Sequence, residues 1–363
     1  MIQKSAKLVT EINGFMMRKA ELKSFIERMP KAELHIHFDS INSEVLLRVA
    51  DRNDLSLPYQ TLQEAVEWHN FSDLDEFLHK WSQTVEVMLT EEDYYDAAYH
   101  LGKDMERQNI LRREAMFTYQ AVHAHRVPLE VMMSGLEQAR KAIRKDFNRD
   151  LCFIADIDRT RSPESGIELV ESIIPYADGV GIVGVGYDCQ ELGYPAKRHR
   201  QAFELARANG FFLSAHCGEE HDAGPAGVWD IIQQMNPDRI DHGNQSIRDA
   251  NLVRHLSESQ IPLTLCPLSN VCINVYDDIS DHPAIKLRDE GVYVTINSDD
   301  PPFMYDLVEN FYKLAKAFEL SRSEIYDLAR NGINASYAAY DQKNQHLKEL
   351  DDWFSDELAQ NCE

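Results

Sequence analysis

The chain lacks the features that mark a secreted, membrane or nucleic-acid-binding protein. Its six cysteines, Cys152, Cys189, Cys217, Cys266, Cys272 and Cys362, show no CxxC pairing and no dense framework. That excludes a small disulfide-stapled scaffold, and the thiols are expected to be reduced. No apolar run approaches the roughly 20 residues of a membrane span, and the opening MIQKSAKLVTEINGFMMRKAELKSF has no apolar stretch with a small-residue cleavage site after it. The expected location is therefore the cytoplasm. Positive charge is scarce, 37 Lys and Arg against 61 Asp and Glu, for a formal net charge of -24. Such a surface repels nucleic acid and anionic membranes, but not a small neutral substrate. No repeat, low-complexity tract or flexible linker interrupts the chain. No GxGxxG, GxxxxGKS or GxxxxGKT loop follows a strand-like run, which weakens a nucleotide-binding, doubly wound sheet.

What is present is an alternation. Hydrophobic residues make up 44% and charged residues 27% of the 363, a globular balance with ample material for a core. Residues 1–29 have apolar positions at helical spacing and predict a leading helix stopped by Pro30. From Glu33 onward, short β-branched or aromatic runs alternate with longer amphipathic stretches. The runs cover 33–38, 113–119, 152–157, 180–186, 211–216, 239–242, 262–266 and 292–297, eight candidate strands. The intervening segments 195–209, 226–235 and 249–259 are expected helices, so the strands should be parallel with right-handed crossovers. The architecture predicted is a (β/α)8 TIM barrel of the α/β class in one domain: leading helix 1–29, barrel 33–300, C-terminal helices 301–363. The long interval between the first two strands contains the helix-like FSDLDEFLHKWSQTVEVM and should add helices over the barrel mouth. Ser321 and Glu324 form a capping-box pattern.

Catalytic groups of such a barrel stand at the carboxyl ends of the strands. Strand one ends in His35-Ile36-His37, two histidines on one face. Alone the motif is weak, since His123 and His125 repeat it in a loop where solvated histidines are common. Strand five ends in SAHCGEE with His216 and Glu219, strand six in DHG with His242, and strand eight in NSDDP with Asp299 and Asp300. Each has a bland alternative: Asp299 or Asp300 as a cap for the following helix, Glu219 and Glu220 as a solvated pair, His242 as a core histidine. Together, three histidines and a carboxylate suit a divalent ion of the zinc type with one position left for water, and zinc would make that water a nucleophile near neutral pH.

The segments PKAELHIHFD, SAHCGEE, RIDHG, LCPLSNV, HPAIKL and VTINSDDPP, in this order, resemble the motifs of the adenosine deaminase family, over about residues 29–340. The resemblance implies one zinc ion per chain held by His35, His37, His216 and Asp299. It makes Glu219 the proton shuttle to purine N1, His242 the group that orients the attacking water, and Asp300 the contact to N7. The implied partner is a small purine base or nucleoside, not nucleic acid or membrane, in purine metabolism; oligomeric state is not legible. The forms RIDHG, CPLSN and NSDDP favour the adenine subgroup and hence adenine to hypoxanthine plus ammonia. Asp39, however, resembles the residue that faces ribose in adenosine deaminases, which keeps adenosine, 2′-deoxyadenosine or a modified 6-aminopurine open. Ser40 matches neither subgroup. Alignment of GVGYDCQE sets the Cys189 N–H toward purine N3. A phosphoesterase with an HxH motif would need more metal ligands and cationic groups. A binuclear amidohydrolase would commonly carry a lysine at the end of strand four, and a non-catalytic barrel would be expected to have lost one of these groups.

Overall fold

The structure, a computed structural model, describes residues 19–360. All eight expected runs are strands: β1 (Lys31–His37), β2 (Ile110–Phe117), β3 (Asp150–Asp158), β4 (Ile182–Asp188), β5 (Phe212–Cys217), β6 (Arg239–His242), β7 (Leu263–Leu265) and β8 (Val294–Ile296). They pair in parallel in sequence order. A parallel strand covered by helices is buried on both faces and so tends toward continuous apolar runs; β2 and β3 are buried along their whole lengths.

The ring closes where β8 returns to β1. Ile36 and Asp299 form a parallel bridge: the His37 N–H donates to Asp299 O at 2.9 Å and the Asp299 N–H to His35 O at 3.1 Å. Asn297 Oδ1 accepts the Leu34 N–H at 2.8 Å. The fold is a (β/α)8 barrel, and the open doubly wound sheet is ruled out by this closure.

The opposite, amino-terminal end of the barrel is built around buried ions. Arg113 meets Glu33 at 2.6 Å and Asp104 at 3.0 Å, while Arg112 and Arg239 each reach Glu114 at 2.6 Å. The Arg239 guanidinium also lies 4.0 Å over the Tyr337 ring. Such groups are tolerated because each charge has a partner. Arg112, Glu114 and Arg239 form a floor inside the barrel and leave the carboxyl end for chemistry, while Arg113 turns outward to the helix Glu91–Arg107.

The helical expectations hold with adjustments. Of the leading helix, Lys19–Arg28 is helical, and residues 1–18 lie outside the described residues. The segment 195–209 divides into a 3-10 turn Ala196–His199 and a helix Arg200–Ala208. His199 is drawn inward there, its Nδ1 at 3.0 Å from the Tyr187 hydroxyl. Helices Gly224–Met235 and Ala250–Ser259 follow as expected, and Ser321 with Glu324 makes a capping box for Arg322–Ala335.

The interval between β1 and β2 folds into four helices, Ser43–Arg52, Leu62–Trp68, Leu74–Val85 and Glu91–Arg107. They reach the mouth: Phe303, just after β8, packs against His69 at 4.3 Å and Phe77 at 5.3 Å between ring centroids. No helix among the described residues is long and apolar enough to cross a membrane.

Candidate active site

Side-chain alternation along β1 turns His35 and His37 to the same side, where β5 delivers His216. Beside them stand His242, ending β6, and Asp299, just past β8. The Nε2 of His216 lies 3.1 Å from that of His35 and 3.2 Å from that of His37. Asp299 Oδ1 lies 3.1 Å from His35 Nε2 and 3.3 Å from His37 Nε2. Both His216 and Asp299 thus lie 3.1–3.3 Å from each of the two β1 ring nitrogens, close to the spacing of donors that are each about 2.0–2.2 Å from a shared ion. The set fits a divalent metal of the zinc type.

Hydrogen bonds behind the cluster select the tautomer that such binding needs. The Thr264 hydroxyl donates to Asp241 Oδ1 at 2.7 Å, so at 3.0 Å from His35 Nδ1 its oxygen can only accept. His35 therefore carries its proton on Nδ1 and turns a lone pair on Nε2 toward the cluster. Asp241 is fixed further by the Ser214 hydroxyl, and Asp299 Oδ2 accepts from the Ser269 hydroxyl at 2.7 Å. Burial works against ionisation of Asp299, but the neighbouring His35 overcomes it and holds the carboxyl well below its ordinary range.

His242 belongs to the same neighbourhood: His35, His216, His242 and Asp299 each offer a donor atom, all within 4.8 Å of one another. Its Nε2 is 3.9 Å from Asp299 Oδ2 and 3.5 Å from Glu219 Oε1. It stands between the cluster and the acid. Burial, with His35 next, pushes its pKa well below the ordinary imidazole value, so it is a neutral imidazole.

Glu219, whose side chain is 19% exposed, is neither a solvated pair member nor loosely held. Its Oε1 accepts from Asn270 Nδ2 at 3.0 Å, and Asn270 Oδ1 accepts from His282 Nε2 at 3.1 Å. His282 Nδ1 accepts the Ala284 N–H at 3.2 Å, which settles the tautomer and hence the direction of the whole chain. The Glu219 carbonyl accepts from Asn244 and Gln245 at 3.0 and 3.2 Å. Burial, and then the charge of Asp299, push the Glu219 carboxyl well above its ordinary range. Asp300 is raised for the same two reasons, to about 7.

Backbone strain accompanies this arrangement. His242 and Asp299 both adopt left-handed φ, 61° and 70°, which costs on the order of 1–3 kcal/mol per residue and persists only where surroundings enforce it. The helix after Pro301 begins at Leu307 with Asp306 as its cap; neither Asp299 nor Asp300 serves that purpose.

Three expectations change. Asp39 does not present a free carboxylate: Oδ1 is 2.8 Å from His123 Nε2, and Oδ2 accepts the Thr118 N–H at 2.7 Å. His123 is not a solvated loop residue but 2% exposed, bonded to Asp39 and, through Nδ1, to the Tyr94 hydroxyl at 3.0 Å; His125 is exposed beside Arg126. Cys189 has φ 71°; burial works against ionisation of the preceding Asp188 carboxyl, but His216, His37 and the Cys189 N–H beside it keep it ionised. Burial, then Asp188, raise the Cys189 thiol far above the ordinary range, so it is neutral.

Residues without a role in the sequence reading include Asn270 and His282, although both sit inside the quoted LCPLSNV and HPAIKL segments. Thr264 and Asp241 carried a faint signal as polar residues in short apolar strands. Asp156, in the middle of β3, carried none. It is fully buried with neither oxygen hydrogen-bonded, and it lies so close over Gly186 that a Cβ there would stand 1.7 Å from its Oδ1. Burial, reinforced by Asp188, keeps its pKa well above normal.

The His282 chain makes a prediction about acid stability. Burial lowers the His282 pKa from 6.5 to about 3, so unfolding takes up a proton at any pH between those values. A depressed folded-state pKa means this contribution is complete above about pH 6.5 and shrinks as pH falls toward 3. His282→Gln keeps a donor for Asn270 but cannot titrate. The Tm gap between wild type and this variant should narrow from pH 7.5 to pH 4.5; a constant gap would contradict the assignment.

Residues 30–353 match the model of the adenosine deaminase family. The adenine deaminase of Crocosphaera subtropica is 36% identical over 330 residues, 89% of this chain and 99% of that protein. That of Hahella chejuensis is 33% identical over 338 residues, 92% of this chain and 99% of that protein. Among solved structures, an adenine deaminase from Arthrobacter aurescens superposes with a TM-score of 0.85 at 32% identity, covering 90% of this chain and 99% of that one.

Proposed function

The chain belongs to the adenosine deaminase family and is an aminohydrolase, and from that premise we propose that it hydrolyses adenine to hypoxanthine and ammonia with one zinc ion per chain. The observation that carries this reading is the meeting, at one barrel mouth, of the His35, His37, His216 and Asp299 donors with the Glu219 acid and the His242 imidazole.

Zinc held by those four residues supplies Lewis acidity, which makes water nucleophilic near neutral pH. The remaining work belongs to the protein. Glu219, kept protonated by burial, donates to purine N1 and leaves C6 electron-poor. His242, neutral and 3.5 Å from Glu219, accepts from the attacking water and orients it. Asp300, as the neutral acid, donates to N7. Water adds at C6 and the C6–N bond breaks; of the two water protons, one passes through Glu219 to the nitrogen, which leaves as ammonia, and the other restores Glu219 after its own proton has gone to N1, with no redox change.

Two observations favour the free base over a nucleoside. The relatives spanning nearly the whole chain are adenine deaminases, and Asp39, which resembles the ribose-facing residue of adenosine deaminases, has both oxygens engaged within the protein. The test is ammonia release from zinc-replete protein with adenine, adenosine, 2′-deoxyadenosine, N6-substituted adenines and cytosine. Turnover of adenine at a kcat/KM at least about 100-fold above the nucleosides is expected, about 3 kcal/mol of discrimination. Preference for adenosine would overturn the substrate assignment, and silence on all purines would overturn the reaction.

A further inference from the structure

β1 runs directly from the donor cluster into a buried turn. Asp39 is 1% and Ser40 2% exposed, and the turn is fixed from several sides. His123 and the Thr118 N–H hold the Asp39 carboxylate. The Trp81 indole donates to Asp39 O at 3.0 Å, and the Ser40 N–H donates to His37 O at 3.2 Å. His123 is itself held by Tyr94. With both its neighbour and its own backbone anchored, Ser40 has little freedom to move, and its hydroxyl donates to Oδ1 of Asp300, 260 residues further along the chain.

This bond has a directional consequence. An oxygen that accepts the Ser40 proton is the acceptor end of the Asp300 carboxyl. With Oδ1 taken by the Ser40 hydroxyl, Oδ2 is the oxygen of Asp300 left to meet a ligand. A carboxyl free to rotate would have no fixed oxygen to present.

We propose that Ser40 is a positioning residue for substrate specificity: its hydroxyl, held on Oδ1, fixes the orientation of the Asp300 carboxyl so that Oδ2 is presented to the unsubstituted N7 edge of a free 6-aminopurine base. The inference rests on the reading that Asp300 meets N7. A merely structural Ser40 would satisfy a buried carboxyl and nothing more, so its loss would weaken every substrate alike. A positioning Ser40 acts only through N7, so its loss is invisible to a ligand without that atom.

The probe is 7-deazaadenine, which has a C–H in place of N7. Zinc-loaded wild type, Ser40→Ala and Ser40→Gly are compared by KM for adenine and by Ki for 7-deazaadenine, with metal content and Tm recorded; the glycine variant adds no bulk and covers the case in which alanine packs badly. In wild type, adenine should bind about 10-fold or more tightly than 7-deazaadenine, the scale of one buried hydrogen bond. In both variants the KM for adenine should rise by about 10-fold while the Ki for 7-deazaadenine stays within about twofold, so that discrimination collapses. Equal losses on both ligands, or unchanged discrimination in a folded, metal-loaded variant, would overturn the role of Ser40 alone. A wild type that does not distinguish the two ligands would instead overturn the Asp300 contact to N7, and the proposal with it.

Discussion

Glu219→Gln is expected to retain its metal and its KM for adenine while kcat falls by about 10³-fold, within the range of positioned general acids. Glutamine preserves the shape of the side chain and the oxygen that accepts from Asn270, so the loop after β5 should stay in place. What it cannot do is pass a proton to N1 and then return one to the leaving nitrogen. The environment has been arranged for the acid form, since burial and Asp299 hold the carboxyl well above its usual range. Steady-state ammonia release alongside metal analysis decides the matter. Activity within about tenfold of wild type would remove Glu219 from proton transfer; loss of metal would show instead that the residue supports the donor cluster.

Asp299→Ala should leave the protein folded but without tightly bound metal, and turnover should vanish with it. Alanine keeps the main-chain N–H and C=O that close the barrel against His35 and His37, so the ring is preserved. The variant deletes the carboxylate that bridges two of the ring nitrogens at 3.1 and 3.3 Å. Even outer partners of ligands are worth 10–100-fold in metal affinity, so a ligand itself should cost at least about 100-fold. Two companions separate ligands from neighbours. His37→Asn should lose metal likewise, whereas His242→Asn should keep it and lose turnover, because His242 sits 3.9 Å from Asp299 Oδ2 and nearer to Glu219. Metal content by elemental analysis after exposure to a chelator is the measurement. Full occupancy in Asp299→Ala would refute the donor set, and metal loss in His242→Asn would exchange the places of His37 and His242.

Much of the site was legible because of how a barrel is built. Polar side chains in β1, β5, β6 and β8 stand out at the carboxyl ends of otherwise apolar runs, and parallel topology brings those ends together whatever the loops do. His35, His37, His216, His242, Glu219, Asp299 and Asp300 were all singled out as candidates that way and by the resemblance of their segments. The supporting residues escaped because their roles are set by partners remote in sequence. Thr264 meets His35 across 229 residues and Asn270 meets Glu219 across 51; no periodicity encodes such pairs. The ionic floor of Arg112, Glu114 and Arg239 was not legible because Arg239 meets Glu114 across 125 residues.

The sequence by itself determined the eight-stranded alternation, and it determined which strand ends carry titratable groups. Burial periodicity and residue chemistry are local properties, printed in the order of the residues. Only the tertiary structure decided what each of those groups is free to do. Asp39 looked available for a sugar until His123, 84 residues away, was found on one oxygen and the Thr118 N–H on the other; Ser40 stood out only as a departure from both subgroups until its hydroxyl met Asp300. A carboxylate has a small number of lone pairs, and which neighbours occupy them is a matter of approach to within about 3 Å. That distance is fixed by packing across the barrel mouth, not by position along the chain.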